Sequence, residues 1–313
     1  MPNSSPPRFP PAAVIPLGIL AVSTASVLIR YAQQEASSLT IAASRLVLAV
    51  IFLAPYLVLR HREEFKVLTG PDLRLALFSG VMLAVHFGTW ISSLEYTTVA
   101  SSVVLVSTTP LWVAGLAPLL LDEDISRGIL TGMGLALLGG VIVVLSDAEG
   151  GLTLGALRSL GAGLRSGGAL WGDLLALFGA LSGAAYLMIG RHLRDKFSLP
   201  MYIFLVYGMA AVVLTLVMIA VDGLPAGFSG RIYLWFVLLA LVPQLLGHTI
   251  FNWALRYLPT SLVSITLLGE PVGSTVLAAV LLGERPSLLK LFGAILILLG
   301  IMTASGKRGP EIN

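Results

Sequence analysis

Two long stretches of this chain match each other at a fixed offset of 161 residues, with no gaps. Tyr96 stands to Tyr257 as Pro110 does to Pro271, Glu123 to Glu284, Gly132 to Gly293 and Gly139 to Gly300. The same offset carries Gly18 onto Gly179 and Arg30 onto Arg191, so the register holds from the first apolar segment to the last. Each copy reads as five apolar spans. Five is odd, so the second copy enters a bilayer upside down relative to the first. Inverted repeats of this kind build transporters whose two faces alternate around one central site.

Composition agrees with a membrane chain. Charged residues are 11% of the total and apolar residues 57%, whereas a soluble domain carries roughly 25% charged residues. Mean hydropathy is +0.94. The net charge of +3 is small and its basic residues dispersed, so no nucleic-acid partner is expected. With no cysteine, disulfides, thiolate metal sites and thiol catalysis are excluded.

About 20 apolar residues cross the hydrocarbon core as a helix. The predicted spans are 12–31, 39–59, 73–95, 99–120, 127–146, 170–190, 200–221, 231–253, 260–282 and 287–304. The fold class is therefore all-α: an integral membrane protein of ten transmembrane helices arranged as two inverted five-helix repeats. Its divisions are a polar N-terminal tail (1–11), a first repeat (12–146), a linker (147–169), a second repeat (170–304) and a C-terminal tail (305–313). The linker is read as flexible, or as a short interfacial helix around Leu157–Leu164. The apolar run after the N-terminal tail lacks a basic leader and a cleavage site, so it is read as a permanent span.

Of the 19 lysines and arginines, twelve fall on the side of the termini and seven on the other. The positive-inside rule then places both termini in the cytoplasm, in the inner membrane of a cell. Short loops leave no room for a soluble ATP-binding domain. No phosphate-binding G-x-x-x-x-G-K-[ST] motif is present, and no cofactor or metal is expected.

Several strings resemble the EamA-type branch of the drug/metabolite transporter superfamily. In the first repeat these are Ala43-Ser44-Arg45-Leu46-Val47-Leu48-Ala49, Pro110-Leu111 and Leu119-Leu120-Leu121-Asp122-Glu123. In the second they are Gly172-Asp173-Leu174-Leu175-Ala176-Leu177, Ala185-Tyr186 with Arg191, Glu270-Pro271-Val272 and Leu281-Leu282-Gly283-Glu284-Arg285. The resemblance implies ten helices in two inverted repeats and export or exchange of small metabolites, amino acids among them. The chain departs from the pattern at Asp122, where a glycine ordinarily precedes the glutamate; this weakens any special role for Glu123.

Ionisable and polar side chains inside spans are functional candidates, because each is costly to bury without a purpose. Glu270 falls about ten residues into its span, or roughly 15 Å deep at 1.5 Å per residue. Beside it Pro271 frees a backbone carbonyl. The carboxylate is a candidate for a proton or a substrate ammonium group, or else a neutral packed acid. Gln244, His248 and Asn252 recur every four residues and share one helix face, which lines a cavity or bonds to neighbouring helices; Asn252 alone also fits the solvated interface.

His86 and Trp90 share a face of span 3, with Trp90 equally readable as an interfacial belt residue. Trp112 and Tyr186 are further cavity candidates. Arg45 either snorkels to the headgroups, pairs with Glu270, or attracts a substrate carboxylate. Asp173 reads as the N-cap of span 6. Pro110 and Pro271 are matched kinks, static or serving as hinges.

The expected function is a secondary transporter that exports a small metabolite by alternating access, most plausibly an amino acid of aromatic or apolar type. Protons are a possible second partner, and the lipid bilayer is the first. A uniporter, exchanger or channel-like facilitator for another uncharged or zwitterionic solute is the alternative. A membrane-embedded enzyme is the remote one, since no paired carboxylates or close metal-ligand spacing occur.

Overall fold

The computed structural model describes residues 7, 9–97, 99–146, 167–282 and 286–305, and among them there are helices but no strands. In chain order the α-helices are α1 (Pro11–Ser23), α2 (Ala25–Ala32), α3 (Ser38–Arg60), α4 (Gly70–Tyr96), α5 (Val99–Val106), α6 (Thr109–Leu120) and α7 (Arg127–Ser146). They continue with α8 (Gly167–Arg194), α9 (Leu199–Asp222), α10 (Gly230–Leu239), α11 (Thr249–Ala254), α12 (Thr260–Leu267), α13 (Glu270–Leu282) and α14 (Leu288–Ser305). A π-helical segment, Ala240–His248, joins α10 to α11, and a 3-10 turn, Arg62–Lys66, follows α3.

Eight helical segments among the described residues are long and apolar enough to cross a membrane, and Val104–Leu120 and Arg127–Val143 are shorter apolar helices. Local chemistry explains where several begin. Ser37, Thr69 and Ser198 each accept a hydrogen bond from the amide three residues on, capping α3, α4 and α9. Pro71 and Pro200 then occupy the first turn, where a missing N–H costs nothing.

Four spans depart from the continuous helices read in the sequence, the first of them at Thr24, between α1 and α2. The fourth is interrupted at Ser107 and Thr108, and the ninth at Leu268 and Gly269. At both points the i−4 ladder gives way to i−3 bonds, Thr108 N–H to Leu105 O and Leu268 N–H to Ile265 O, each 3.0 or 3.1 Å. Pro110 and Pro271 follow directly and cannot restore the ladder. In the eighth span Pro243 lies within the π segment, where the wider turn absorbs its missing donor. Asp173 is not an N-cap, because α8 begins at Gly167; its carboxylate instead accepts from the Thr97 hydroxyl at 2.7 Å. The same start takes the last three residues of the 147–169 linker into helix; the reading of Leu157–Leu164 lies outside the described residues.

Helices pack through small residues. α7 and α14 run antiparallel so closely that a Cβ on Gly139 would meet Gly293 O at 2.5 Å, and one on Gly132 would meet Gly300 O at 2.4 Å. Glycine at these positions lets the backbones touch, which is how membrane helices gain packing energy without a hydrophobic drive between them.

Polar contacts tie the ends of the bundle. At one end Glu64 accepts from Ser198 N–H at 3.1 Å and Lys196 pairs with Asp72 at 2.7 Å. Glu123 accepts from the amide and hydroxyl of Thr260, both at 2.8 Å, and so caps α12. This is a role the departure from the family string at Asp122 did not suggest. Asp122 itself adopts φ 52, in the left-handed region where glycine is at ease. At the other end Glu35 accepts from Ser229, and the Ser37 hydroxyl bonds Asp222.

Candidate solute site

The interruptions of the fourth and ninth spans face one cavity. Thr109, the first residue of α6, and Leu267, the last of α12, line it from the two broken spans. Leu83 and His86 come from α4, Gly183, Tyr186 and Leu187 from α8, and His248, Phe251 and Asn252 from the stretch across the π segment and α11. Its volume is about 50 Å³, room for only a few waters. The walls are mostly apolar, with a polar side made by His86, Tyr186, His248 and Asn252.

That polar side is held in place by buried partners. The Tyr186 hydroxyl donates to Asn252 Oδ1 at 2.7 Å, and Asn252 Nδ2 donates to the Tyr207 hydroxyl at 3.1 Å. Arg194 Nε donates to the Asn252 carbonyl at 3.1 Å. Asn252 is 1% exposed, so the solvated-interface reading of it is overturned: Tyr186 and Arg194 of α8 and Tyr207 of α9 close over it. His86 Nδ1 lies 2.8 Å from Gly179 O. A carbonyl only accepts, so Nδ1 carries the proton and Nε2 keeps its lone pair in the neutral ring. Gly183 permits this approach, since a Cβ there would stand 2.8 Å from the imidazole.

The other candidates are near but do not reach the wall. Trp90 stacks on His86 with centroids 6.1 Å apart, and its indole N–H is buried without a partner among the described residues. Gln244 is fully buried, and neither amide atom completes a hydrogen bond, although it approaches the Tyr207 hydroxyl. Glu270 opens α13, directly after the interruption, rather than lying within a continuous helix. Its backbone carbonyl accepts from the Ser23 hydroxyl at 3.0 Å.

Trp112 is 38% exposed and turned away from the cavity, because Thr109, Val113 and Ala117 form the buried stripe of α6. Pro110 and Pro271 each stand second in the half-helix after a break.

Arg45 is 0% exposed, which removes the snorkelling reading, since the side chain points into the bundle. Its guanidinium carbon sits 4.3 Å from the centre of the Phe87 ring. Glu270 and Arg45 act on each other electrostatically but form no ion pair among the described residues.

Sequence reading missed Phe87, Thr109, Phe251, Tyr207 and, behind it, Tyr202, whose hydroxyl meets that of Ser79 at 3.3 Å. Only the tyrosines carried a signal, as phenol groups inside a span that must find partners.

The EamA-like transporter family matches residues 12–145 and again 170–306. The chain belongs to that family. An uncharacterized transporter of Bacillus subtilis (strain 168), YyaM, is 25% identical over 227 residues, 70% of this chain and 69% of that protein. An uncharacterized transporter of Archaeoglobus fulgidus is 24% identical over 303 residues, covering 95% and 96% of the two chains. One solved crystal structure of a protein superposes with a TM-score of 0.76 at 17% identity over 94% of this chain and 96% of that one. Membership of the EamA-like family makes this a multi-pass membrane transporter of a small molecule.

Proposed function

We propose that this EamA-like chain is a secondary transporter of ten spans in two inverted repeats that exports an amino acid by alternating access. The observation that carries the reading is the convergence of the interruptions at matched positions of the fourth and ninth spans on one cavity, through Thr109 and Leu267. A cavity with room for only a few waters does not hold a large apolar or aromatic amino acid, so loading one requires the walls to part. Half-helices joined at two short breaks are suited to that movement.

The repeat is supported by contacts that map onto each other under the 161-residue offset. Gly132 meets Gly300 while Gly139 meets Gly293, and exchanging the two repeats turns each pair into the other. Gly18 packs on Ile250 as Gly179 packs on Thr89, the equivalent pair. The interruptions at 107–108 and 268–269 are equivalent positions too, and the family matches the chain in two separate segments. The bias of lysine and arginine supports cytoplasmic termini and an inner-membrane location.

The amino-acid reading draws on the mixed wall of the cavity and on the opposite charges of Arg45 and Glu270 beside it, which together suit a zwitterion. The family resemblance favours outward movement. Protons are a candidate coupling ion through Glu270 and His86. Reconstituted protein is expected to show saturable counterflow for at least one member of a panel of labelled amino acids. Counterflow of none of them sinks the amino-acid reading. Coupling through the two residues is rejected if Glu270→Gln with His86→Phe leaves uptake unchanged and still insensitive to pH.

A further inference from the structure

Arg45 is the least satisfied group in the bundle. It is wholly buried, and its Nε, Nη1 and Nη2 have no hydrogen-bond partner among the described residues. Arginine stays charged in proteins and carries five N–H donors in a planar fork. The contact with Phe87 engages the face of that plane and leaves the donors along its edge unmet. A buried cation held this way is costly unless something else answers it.

The groups around it do not answer it. Phe87 is in edge contact with His248, centroids 5.3 Å apart, which puts the arginine one ring away from the cavity wall. Gln244 is fully buried too, and among the described residues its amide makes no complete hydrogen bond, only an approach to the Tyr207 hydroxyl. It and Arg45 both bear on Tyr207, from the π segment and from α3 respectively. Glu270 is the carboxylate that acts on Arg45, and it does so across a gap. A planar fork of charged donors with an added amide donor matches one carboxylate, which takes two parallel N–H bonds and a third from the side.

We propose that Arg45, assisted by Gln244, is the anchor for the carboxylate of the transported solute, which is therefore a monocarboxylate or an amino acid bound by its acid end. This rests on the carrier reading above and extends it from the cavity wall to the residues behind Phe87 and His248. In the closed state Phe87 and His248 separate the anchor from the cavity. Parting of the walls that loads the solute also brings its carboxylate to the arginine.

The test uses the full-length purified chain with propionate and its uncharged counterpart propionamide as probes, followed by thermal unfolding and titration. Propionate is expected to raise the unfolding temperature of the wild type, and propionamide to have no comparable effect. The propionate effect should vanish in Arg45→Gln. Arg45→Lys keeps the charge but loses the fork, and it should bind propionate at least tenfold more weakly; it also serves if Arg45→Gln does not fold. Gln244→Leu should weaken propionate binding while leaving Arg45 in place.

No propionate effect on the wild type, or an equal effect on the wild type and Arg45→Gln, overturns the proposal and leaves internal water as the partner of the guanidinium. The result separates from that of the amino-acid panel. Arg45-dependent propionate binding without amino-acid counterflow keeps the anchor and discards the amino-acid reading. Amino-acid counterflow that is unchanged in Arg45→Lys does the reverse.

Discussion

Replacing Arg45 with methionine should make the protein more stable and less able to transport. The side chain is fully buried, and its three nitrogens have no partner among the described residues. Leaving buried polar groups unsatisfied costs about 1–3 kcal/mol, and more for a charged group. The stacking on Phe87 at 4.3 Å returns up to about 2 kcal/mol when the pair is desolvated. Methionine keeps most of the volume and packs against the same ring. The balance is a gain of about 1–2 kcal/mol for Arg45→Met. At about 2–4 °C per kcal/mol for chains of some 200 residues, the unfolding temperature should rise by a few degrees.

Thermal unfolding of wild type and variant in the same detergent checks the stability, and counterflow in liposomes checks the transport. The opposite outcome is equally well defined. If Arg45 were one half of a satisfied buried ion pair with Glu270, removing it would cost about 3–5 kcal/mol. A loss of that size would refute the reasoning, and with it the idea that the arginine is held ready for a ligand.

Other expected outcomes concern the frame. Asp122→Gly should be close to neutral, because relief at φ 52 offsets the added freedom of the unfolded chain, whereas Asp122→Val should cost at least about 1 kcal/mol; thermal unfolding separates the two. Glu123→Ala removes the cap that Thr260 donates to at 2.8 Å and should cost about 0.5–2 kcal/mol in the same assay. Glu64 is held below the ordinary carboxylate value of 4.5: partial burial pushes it up, but hydrogen bonds from Ser198 and His61 outweigh that. A depressed carboxylate stabilises the folded state above its unfolded pKa and loses that contribution as pH falls through the folded one. Wild type should therefore lose stability below about pH 4.5 more steeply than Glu64→Gln.

Much of the helical architecture was legible because a bilayer leaves a chain few choices: a long apolar run must be a helix. The interruptions were harder to read. Pro110 and Pro271 signalled bends, yet the helices end four residues before each proline, and the interruptions fall at Ser107–Thr108 and Leu268–Gly269. The π segment has Pro243 as its only local sign, and no periodic pattern distinguishes it from an α-helix.

Depth along a span was readable for the candidate residues, but the direction they face was not. Counting from the span ends placed Asn252 and Arg45 near the membrane surfaces, and both are buried because helices distant in sequence fold over them. Trp112 failed for the complementary reason, since the apolar α6 gave no hint that Thr109, Val113 and Ala117 would be its inward face. His86, Tyr186, His248 and Asn252 meet at one cavity, although they lie on spans whose packing the sequence does not state.

The central claim is that the cavity beneath the two interruptions opens to each side of the membrane in turn. The chain contains no cysteine, so a single Leu267→Cys places one thiol on the cavity wall. Inside-out and right-side-out vesicles of this variant can each be treated with a bulky maleimide that does not cross the membrane. Labelling is expected from either side, with the balance between sides shifted by a transported amino acid. Labelling from one side only, unmoved by any solute, would contradict it.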